Sequence, residues 1–416
     1  MAAFPLMANR AYRLLWVGQT VSSAGDALTL VAVVFAILRI GGTAADIGYV
    51  TAAATFTRVV FVLAGGVWAD RLPRHLVMLT SDAVRAAVQS VLAILQFAGL
   101  AKVWELGLGA MIFGAAQAFF GPASTGLLAE IVPADRLQQG NALMSFAART
   151  CAVGGPAAAG LLVAIFGPGL VFAVDAASFT VSAASLALLR LAPRTMPARN
   201  SFRADLTAGW HEMVIRPWYW LNLVAHAICN FAIPAYFVLG PVIATRMLGG
   251  ASAWGAISAS WAAGAVGGGI ITLRVRPLVA ANLALALTAL PLLALVRPMA
   301  TWQIGIAAAL SGGATIFVNN VWEATMQQLI PDEILSRVDS YDLLISLVVM
   351  PVGYVVVGPL ASHIGDTGVL VGAALILGAT CGLTMLIPGI RAVRRTSEGM
   401  IADLPLRKAT ETVPVG

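Results

Sequence analysis

Two carboxylic acids, Asp26 and Glu323, stand inside long apolar segments of the chain. A charged side chain at membrane depth costs about 2.5–3.5 kcal/mol on insertion scales, so a carboxyl retained there is a candidate for function. Burial favours its neutral form, and contact with water would let it take up and release a proton. Both acids are therefore candidate proton carriers. For Asp26 the alternative is a permanent ion pair with an arginine that holds two helices together.

Three further ionisable residues have similar apolar surroundings: Arg58, Arg149 and His226. Arginine stays protonated in proteins, so Arg58 can act only as a fixed counter-charge or an anion-binding group. If Arg58 faces Asp26, protonation of that carboxyl would release the pair. Arg149 has an equally good structural interpretation, because it precedes a Gly-Pro bend that frees backbone carbonyl groups. Histidine has an unperturbed pKa of about 6.5, so His226 is a residue that could titrate, but a lone histidine is more often a hydrogen-bonded helix contact.

Polar residues recur at helical spacing beside these ionisable groups. Gln19 and Ser23 lie seven and three residues before Asp26, on one face of a helix. Two other stripes repeat every four residues, and we expect both to face the interior of a helical bundle. They are Asn222, His226, Asn230 and Pro234 in one segment, and Ser311, Thr315, Asn319 and Glu323 in another.

The composition is that of a membrane protein. Of the 416 residues, 59% are apolar and only 11% are charged, whereas a soluble domain carries about 25% charged residues. This composition excludes a soluble enzyme, a nucleic-acid-binding protein and a disordered chain.

The residues that would indicate an enzyme or a bound cofactor are not found in the sequence. The three cysteines and four histidines show no spacing typical of a metal site. No nucleophile elbow or histidine cluster indicates catalysis, and the nucleotide-binding pattern G-x-x-x-x-G-K-[ST] is missing. We therefore expect a non-enzymatic protein with no metal and no cofactor.

The apolar segments predict twelve membrane-spanning helices, since a span needs about 20 predominantly apolar residues. The predicted fold is an all-α membrane protein with an N-terminal six-helix bundle over 1–190, a linker over 191–216, a C-terminal six-helix bundle over 217–390 and a basic tail over 391–416 that meets anionic lipid headgroups. The predicted spans cover residues 14–38, 47–69, 76–98, 104–129, 141–165, 168–190, 217–245, 253–273, 277–296, 300–328, 339–362 and 367–390.

The two predicted bundles repeat each other. An offset of 198 residues aligns 131–137 (IVPADRL) with 329–335 (LIPDEIL), and it also aligns Gly155 with Gly353 and Gly160 with Gly358. Most of the 25 lysines and arginines fall in the N-terminus, the even-numbered connections, the linker and the tail. Because basic residues are enriched on the cytoplasmic side of membrane proteins, both termini are predicted to be cytoplasmic.

The connection between the second and third spans reads Gly66-Val-Trp-Ala-Asp70-Arg71-Leu-Pro-Arg74-His. It resembles the cytoplasmic loop signature of the major facilitator superfamily, with Pro73 in place of a glycine and His75 in place of a base. The resemblance implies two bundles related by a pseudo-two-fold axis along the membrane normal. It also implies that the loop residues Gly66, Asp70, Arg71 and Arg74 form a conformational latch.

A second motif narrows this resemblance. Gly154, Gly155, Pro156 and Gly160 in the fifth span are similar to the glycine-proline motif of antiporters in the superfamily. Short motifs in the first, third and sixth spans resemble the twelve-helix drug:proton antiporters, which include macrolide and multidrug efflux proteins and the enterobactin exporter. The resemblance implies a proton-coupled exporter of amphiphilic or cationic small molecules in a bacterial inner membrane. An exporter of a siderophore, lipid or other metabolite, or a facilitator or importer with the same fold, is the alternative.

In this superfamily the first, fourth, seventh and tenth helices line the central cavity. The resemblance therefore places several polar and aromatic residues there, around the proton-coupling residues Asp26, Glu323 and Arg58. We expect protons, a small-molecule substrate and membrane lipids as partners of a monomeric protein that binds no nucleic acid. The predicted cavity residues are Gln19, Ser23, Gln117, Phe120, Arg149, His226, Asn230, Tyr236, Asn319 and Trp322.

Overall fold

The chain forms long helices in the computed structural model, which describes residues 4–189, 215–269, 276–330, 332–395 and 401–403. The N-terminal half contains a short helix followed by six long ones: α1 (Phe4–Ala8), α2 (Arg10–Arg39), α3 (Ala44–Arg71), α4 (Arg74–Phe97), α5 (Val103–Ile131), α6 (Leu137–Phe166) and α7 (Pro168–Ala187). The second half contains α8 (Pro217–Ala232), α9 (Pro234–Ile243), α10 (Ala251–Gly268), α11 (Pro277–Leu285), α12 (Leu290–Val296), α13 (Thr301–Leu329) and α14 (Asp332–Thr384). It ends in α15 (Pro388–Ala392) and a hairpin of β1 (Val393–Arg395) and β2 (Ile401–Asp403).

The twelve-helix fold predicted from the sequence is confirmed. Ten of the described helical segments are long and apolar enough to cross a membrane. The last of them, Val348–Thr384, covers most of the two final predicted spans, which are separated at Gly365 by a backbone φ of 79°. The eighth predicted span is α10, which has 18 residues. The linker predicted over 191–216 lies almost wholly outside the described residues.

Two predicted spans are less regular than their sequences indicated. The seventh is divided into α8 and α9 at Ile233, directly before Pro234, and continues through a π-helical turn over Ala244–Leu248. The ninth is α11 and α12, joined by a 3₁₀ turn over Ala286–Ala289. Proline lacks the backbone N–H that a helix interior uses, so Pro234 begins a new helix there.

Each half is held together by pairs of packed helices. In the N-terminal half, α2 packs against α6 and α7, α3 against α5, and α4 against α5 and α7. In the C-terminal half, α10 packs against α13, and α14 against α8. The halves meet where α6 crosses α10 and where α3 crosses α14.

Glycines allow these two crossings to be close. Gly255 of α10 packs on the carbonyl oxygen of Pro156 in α6, and Gly48 of α3 packs on the carbonyl oxygen of Tyr354 in α14. A Cβ at either glycine would overlap that oxygen. The offset of 198 residues relates Pro156 to Tyr354, so the carbonyl oxygens of the two crossings occupy equivalent positions, although the two glycines do not align at that offset. Both lie towards the end of the bundle opposite its N-terminus.

The first part of the predicted tail packs on the C-terminal half. Ile390, Val393 and Ile401 are buried against the ends of α8, α11 and α13. The Ile401 N–H donates a hydrogen bond to the Gln328 side chain at 2.7 Å. Residues 388–403 therefore include a docked segment rather than only a chain that meets lipid.

Candidate functional site

Four charged side chains meet inside the N-terminal half, on three helices. Asp26 comes from α2, Asp82 and Arg85 from α4, and Asp175 from α7. One Arg85 nitrogen, Nη2, donates a hydrogen bond to Asp82 one turn earlier on α4. The other, Nη1, lies 3.6 Å from the Asp26 Oδ2 atom. The structure therefore places Arg85, and not the predicted Arg58, at ion-pair distance from Asp26.

Aromatic rings enclose the Arg85 guanidinium. Its central carbon lies 4.2 Å from the Phe120 ring centroid and 4.3 Å from that of Phe179, with Phe113 at 5.8 Å. A guanidinium within about 6 Å of an aromatic face is attracted by the ring quadrupole, more strongly away from water. Only 1% of the Arg85 side chain is exposed, so it is a buried and fixed positive charge.

Asp175 is satisfied by uncharged donors. Its Oδ2 atom accepts hydrogen bonds from the Thr29 hydroxyl at 2.7 Å and from the Gln89 amide at 2.6 Å. Its Oδ1 atom accepts one from the Ser178 hydroxyl at 3.2 Å. Asp175 therefore links α7 to α2 through Thr29 and to α4 through Gln89.

The cluster contains three carboxyl groups and one guanidinium. If all of them are ionised, two negative charges stay uncompensated within it, and an uncompensated buried charge costs several kcal/mol. Asp82 and Asp175 are completely buried, whereas 33% of the Asp26 side chain is exposed. Asp26 is therefore the member of the cluster that can exchange a proton with water.

Two cavities meet at Asp26. The first, of about 500 Å³, lies between the two halves and is mostly apolar and aromatic. Its wall includes Tyr236 and Phe237 of α9, Trp254 and Trp261 of α10, and Tyr354 of α14. The Tyr236 hydroxyl is buried without a hydrogen-bond partner among the described residues. We call this space the aromatic cavity. Its size and lining are typical of sites for drug-sized molecules.

The second cavity, of about 380 Å³, lies within the N-terminal half beside α3, α4 and α5. We call it the polar cavity, because Thr51, Thr55, Arg58, Gln89 and Gln117 all contribute to its wall. The two cavities share Asp26, Leu30, Val34, Thr51 and Tyr354. A molecule in either cavity can therefore approach the same carboxyl group.

Several predicted site residues come together around Asp26. Ser23 and Tyr236 line the aromatic cavity, while Arg58 and Gln117 line the polar cavity. Phe120 contacts Arg85. Gln19 lies farther along α2, where its amide donates to the Ser182 hydroxyl at 3.2 Å.

The predicted residues of α13 are not brought to this site. Asn319 and Glu323 are exposed, and the Glu323 carboxylate accepts a hydrogen bond from Gln327 at 3.1 Å. A spacing of four residues advances by about 40° per step around a helix of 3.6 residues per turn. The stripe therefore turns from the buried Ser311 to the exposed Glu323 and does not keep to one face.

His226 and Asn230 of the seventh span and Trp322 make contacts inside the C-terminal half. The His226 ring packs against Trp322 with centroids 5.3 Å apart, and its Nε2 atom lies 3.4 Å from the Asn222 amide nitrogen. Asn230 donates to the Ser346 carbonyl oxygen at 2.8 Å. These contacts favour a structural role for His226 and Asn230.

The remaining predicted residues have separate positions. Arg149 is exposed on α6. Its neighbour Gly155 packs on Ala27 of α2, Gly160 packs on Ala251 of α10, and Gly154 faces open space. In the predicted latch, Arg74 forms an ion pair with Glu130 at 3.1 Å. For Gly66, Asp70 and Arg71 the structure describes only the helical backbone of α3.

The predicted proton-coupling and cavity residues included none from α4 or α7. Asp82 and Arg85 form a local ion pair on α4, and Arg85 also reaches Asp26. A signal was available, since Asp82, Arg85 and Gln89 share one face of α4 at spacings of three and four. Asp175, Ser178 and Ser182 likewise share one face of α7. Trp254 and Trp261 of the aromatic cavity were also missed.

Comparison with known proteins identifies the family. A sequence profile described as transmembrane secretion effector matches residues 1–410. The chain belongs to this family of major facilitator superfamily transporters. Macrolide efflux protein A of Streptococcus pyogenes is 24% identical over 362 residues, which cover 84% of this chain and 89% of that protein. The multidrug efflux pump Tap of Mycolicibacterium fortuitum is 26% identical over 254 residues, or 55% of this chain and 62% of the pump.

Solved structures agree on the fold. The nucleoside transporter NupG superposes with a TM-score of 0.68 at 13% identity, covering 90% of this chain and 98% of NupG. A bacterial homologue of the human lysosomal transporter Spinster, in an inward-facing and occupied conformation, superposes with a TM-score of 0.68 at 16% identity. The match covers 91% of this chain and 96% of that protein. The family and the fold are those of multi-pass membrane transporters, as the sequence predicted. Such proteins move small molecules.

Proposed function

We propose that this secretion effector exports amphiphilic small molecules in exchange for protons, by alternating access. The observation that carries the proposal is the position of Asp26. This carboxyl borders both the aromatic cavity and the polar cavity, so a substrate in one space and a proton that arrives through the other reach the same group. A proton gradient would then drive export with no cofactor.

The aromatic cavity supports an amphiphilic substrate. Four of its aromatic residues are Tyr236, Phe237, Trp254 and Trp261, and Asp26 is the acidic residue of its described wall. Large apolar rings bind hydrophobic molecules, and the carboxylate attracts a positive group. The names of the macrolide and multidrug efflux relatives support the same substrate class. Arg58 in the polar cavity favours the second candidate, an exporter of an anionic siderophore or lipid.

We place both termini in the cytoplasm and the protein in a bacterial inner membrane, as a monomer. The basic residues at the N-terminus and in the even-numbered connections support this orientation. The two glycine crossings then lie towards the external side of the membrane. The structure would accordingly correspond to a state that faces the cytoplasm, as in the inward-facing Spinster homologue.

Transport by purified protein in liposomes tests the proposal. The liposomes carry an imposed pH gradient and an internal pH dye, and receive a macrolide, a tetracycline, a lipophilic cationic dye or a siderophore. We expect substrate-dependent proton flux with one of the first three compounds. Asp26→Asn should abolish that flux, because an amide cannot take up the proton.

Glu323→Gln is the matched control, since it removes an exposed carboxyl on α13. We expect this variant to retain the proton flux. Flux that survives in Asp26→Asn and disappears in Glu323→Gln would move the proton to Glu323. Flux with the siderophore alone would favour the second candidate. Substrate movement that is independent of the pH gradient would contradict proton exchange and indicate a facilitator.

A further inference from the structure

Arg85 packs between two helices and has one nitrogen directed at Asp26. Its guanidinium carbon lies 4.2 Å from the ring centroid of Phe120 on α5 and 4.3 Å from that of Phe179 on α7, and Asp82 binds Nη2. The remaining Nη1 atom is 3.6 Å from Asp26. A charge-assisted hydrogen bond would have an N–O distance of about 2.7–2.9 Å. Arg85 is therefore near enough to attract the Asp26 carboxylate and is held short of closing on it.

Asp82 also limits what Arg85 contributes to Asp26. It is a completely buried carboxyl on the same helix, and its Oδ2 atom is a buried acceptor without a hydrogen-bond partner among the described residues. Asp82 thus shares the positive charge of Arg85 and adds a negative charge of its own near Asp26. Both effects make Asp26 bind a proton more readily.

The other charged groups that face Asp26 come from two helices. Asp175 of α7 is a further carboxyl of the cluster, engaged by Thr29 and Gln89. Arg58 of α3 shares the polar cavity with Asp26. Against Asp26, α5 presents the uncharged Phe113 and Gln117, and α14 presents Tyr354. Among the described groups, Arg85 is the positive charge in contact with Asp26.

We infer that Arg85 is a positioning residue: the Phe120–Phe179 clamp and Asp82 hold it just beyond hydrogen-bond distance from Asp26, and this spacing sets the pH at which Asp26 exchanges its proton. If the guanidinium were free to close on Asp26, the carboxyl would stay ionised down to a low pH. If the guanidinium were removed, Asp26 would stay protonated up to a high pH. The inference rests on the proposed function, in which Asp26 carries the proton.

Infrared titration of the purified protein measures the effect of this spacing without a substrate. The carboxylic acid C=O band that disappears in Asp26→Asn belongs to protonated Asp26, and its loss with rising pH gives a midpoint. Arg85→Gln removes the attraction and should raise the midpoint by about one pH unit or more, the size typical of a charge at this distance. Asp82→Asn removes the competitor and should lower it.

The clamp gives a second pair of variants. Phe179→Leu frees Arg85 to close on Asp26, so it should lower the midpoint by less than Asp82→Asn does. Phe172→Leu is the matched control, because Phe172 is also a completely buried phenylalanine of α7, while the rings near Arg85 are those of Phe113, Phe120 and Phe179. We expect Phe172→Leu to leave the midpoint unchanged.

Opposite shifts in Arg85→Gln and Asp82→Asn would support the inference, since a purely structural role would not reverse the sign. Unchanged midpoints, or shifts in one direction, would overturn it. If Arg85→Gln does not fold, Asp82→Asn and Phe179→Leu still test it. Liposome flux is a separate readout. Its absence in the wild type, together with opposite midpoint shifts, would reject the proposed function and retain the role of Arg85.

Discussion

The interiors of the two halves differ in charge although their helices repeat. In the N-terminal half, Asp82, Arg85 and Asp175 are buried next to Asp26. In the described part of the C-terminal half, the buried polar side chains are neutral, such as Asn222 and Asn282. Asn282 donates to Asn222 at 2.9 Å. A repeated backbone therefore carries a charged interior in the N-terminal half and a neutral one in the described part of the C-terminal half, where α9 and α10 supply aromatic residues to the aromatic cavity.

The comparison also shows what the repeat preserves. The glycine crossings of α6 on α10 and of α3 on α14 match each other, down to a carbonyl oxygen packed on a glycine. Backbone contacts of this kind depend on small residues and not on charge. The contacts at which the halves meet are thus alike, whereas the charges of the two interiors differ.

The largest expected effect is on stability and separates the two interiors. Asp175→Ala leaves the Thr29, Gln89 and Ser178 donors without their carboxylate. A buried polar group left unsatisfied costs about 1–3 kcal/mol, so we expect the free energy of unfolding to fall by about 2–3 kcal/mol. Unfolding by sodium dodecyl sulfate, followed by circular dichroism, measures the loss.

Asn282→Ala is the comparison in the C-terminal half. Its amide makes hydrogen bonds to Asn222 and to the Leu278 carbonyl oxygen, and we expect a loss of about 1 kcal/mol. If the free energy of unfolding falls equally in the two variants, the charged interior depends on its hydrogen bonds no more than the neutral one does.

The next effect tests the symmetry of the crossings. Gly48→Ala and Gly255→Ala each place a Cβ against a carbonyl oxygen of the other half. We expect each variant to slow transport about tenfold, equivalent to about 1.4 kcal/mol, because the halves can no longer approach closely. Gly154→Ala is the control, since its Cβ would enter open space. If the liposome assay shows slower transport in only one of these two variants, the two crossings are not equivalent.

The smallest effect concerns the aromatic wall. Trp261→Leu removes a ring from the aromatic cavity but keeps an apolar side chain there. Aromatic contacts contribute about 0.5–1.5 kcal/mol beyond the area they bury, so we expect substrate affinity to fall about threefold to tenfold. Trp302→Leu is the control, because Trp302 is an exposed tryptophan of α13. Substrate affinity is measured by isothermal titration calorimetry. Equal affinities in the two variants would show that Trp261 does not contribute to substrate binding.

Hydropathy was sufficient to predict the fold because each span needs only an apolar stretch of the right length. It could not place the helix breaks at Ile233 or over Ala286–Ala289, where local backbone hydrogen bonding changes. The long central connection over 191–216 lies mainly outside the described residues and stays a prediction.

The candidate site was predicted only in part. Asp26 could be found because one carboxyl in an apolar helix stands out. Its partner could not, since Arg58 and Arg85 both occupy apolar helices and helical spacing does not give the rotation of one helix against another. Glu323 stays a prediction as a proton carrier: its four-residue stripe winds around the helix, and it does not line either of the two cavities that border Asp26.

Proton release on substrate binding tests the central claim most directly. Purified protein in weakly buffered detergent solution, with a pH indicator, receives the compound that gave flux in liposomes. At a pH where Asp26 is protonated, the wild type and Glu323→Gln should each release about one proton per bound molecule, since the substrate displaces it. Asp26→Asn should bind without release. Release that persists in Asp26→Asn, or that is lost in Glu323→Gln, would contradict the account.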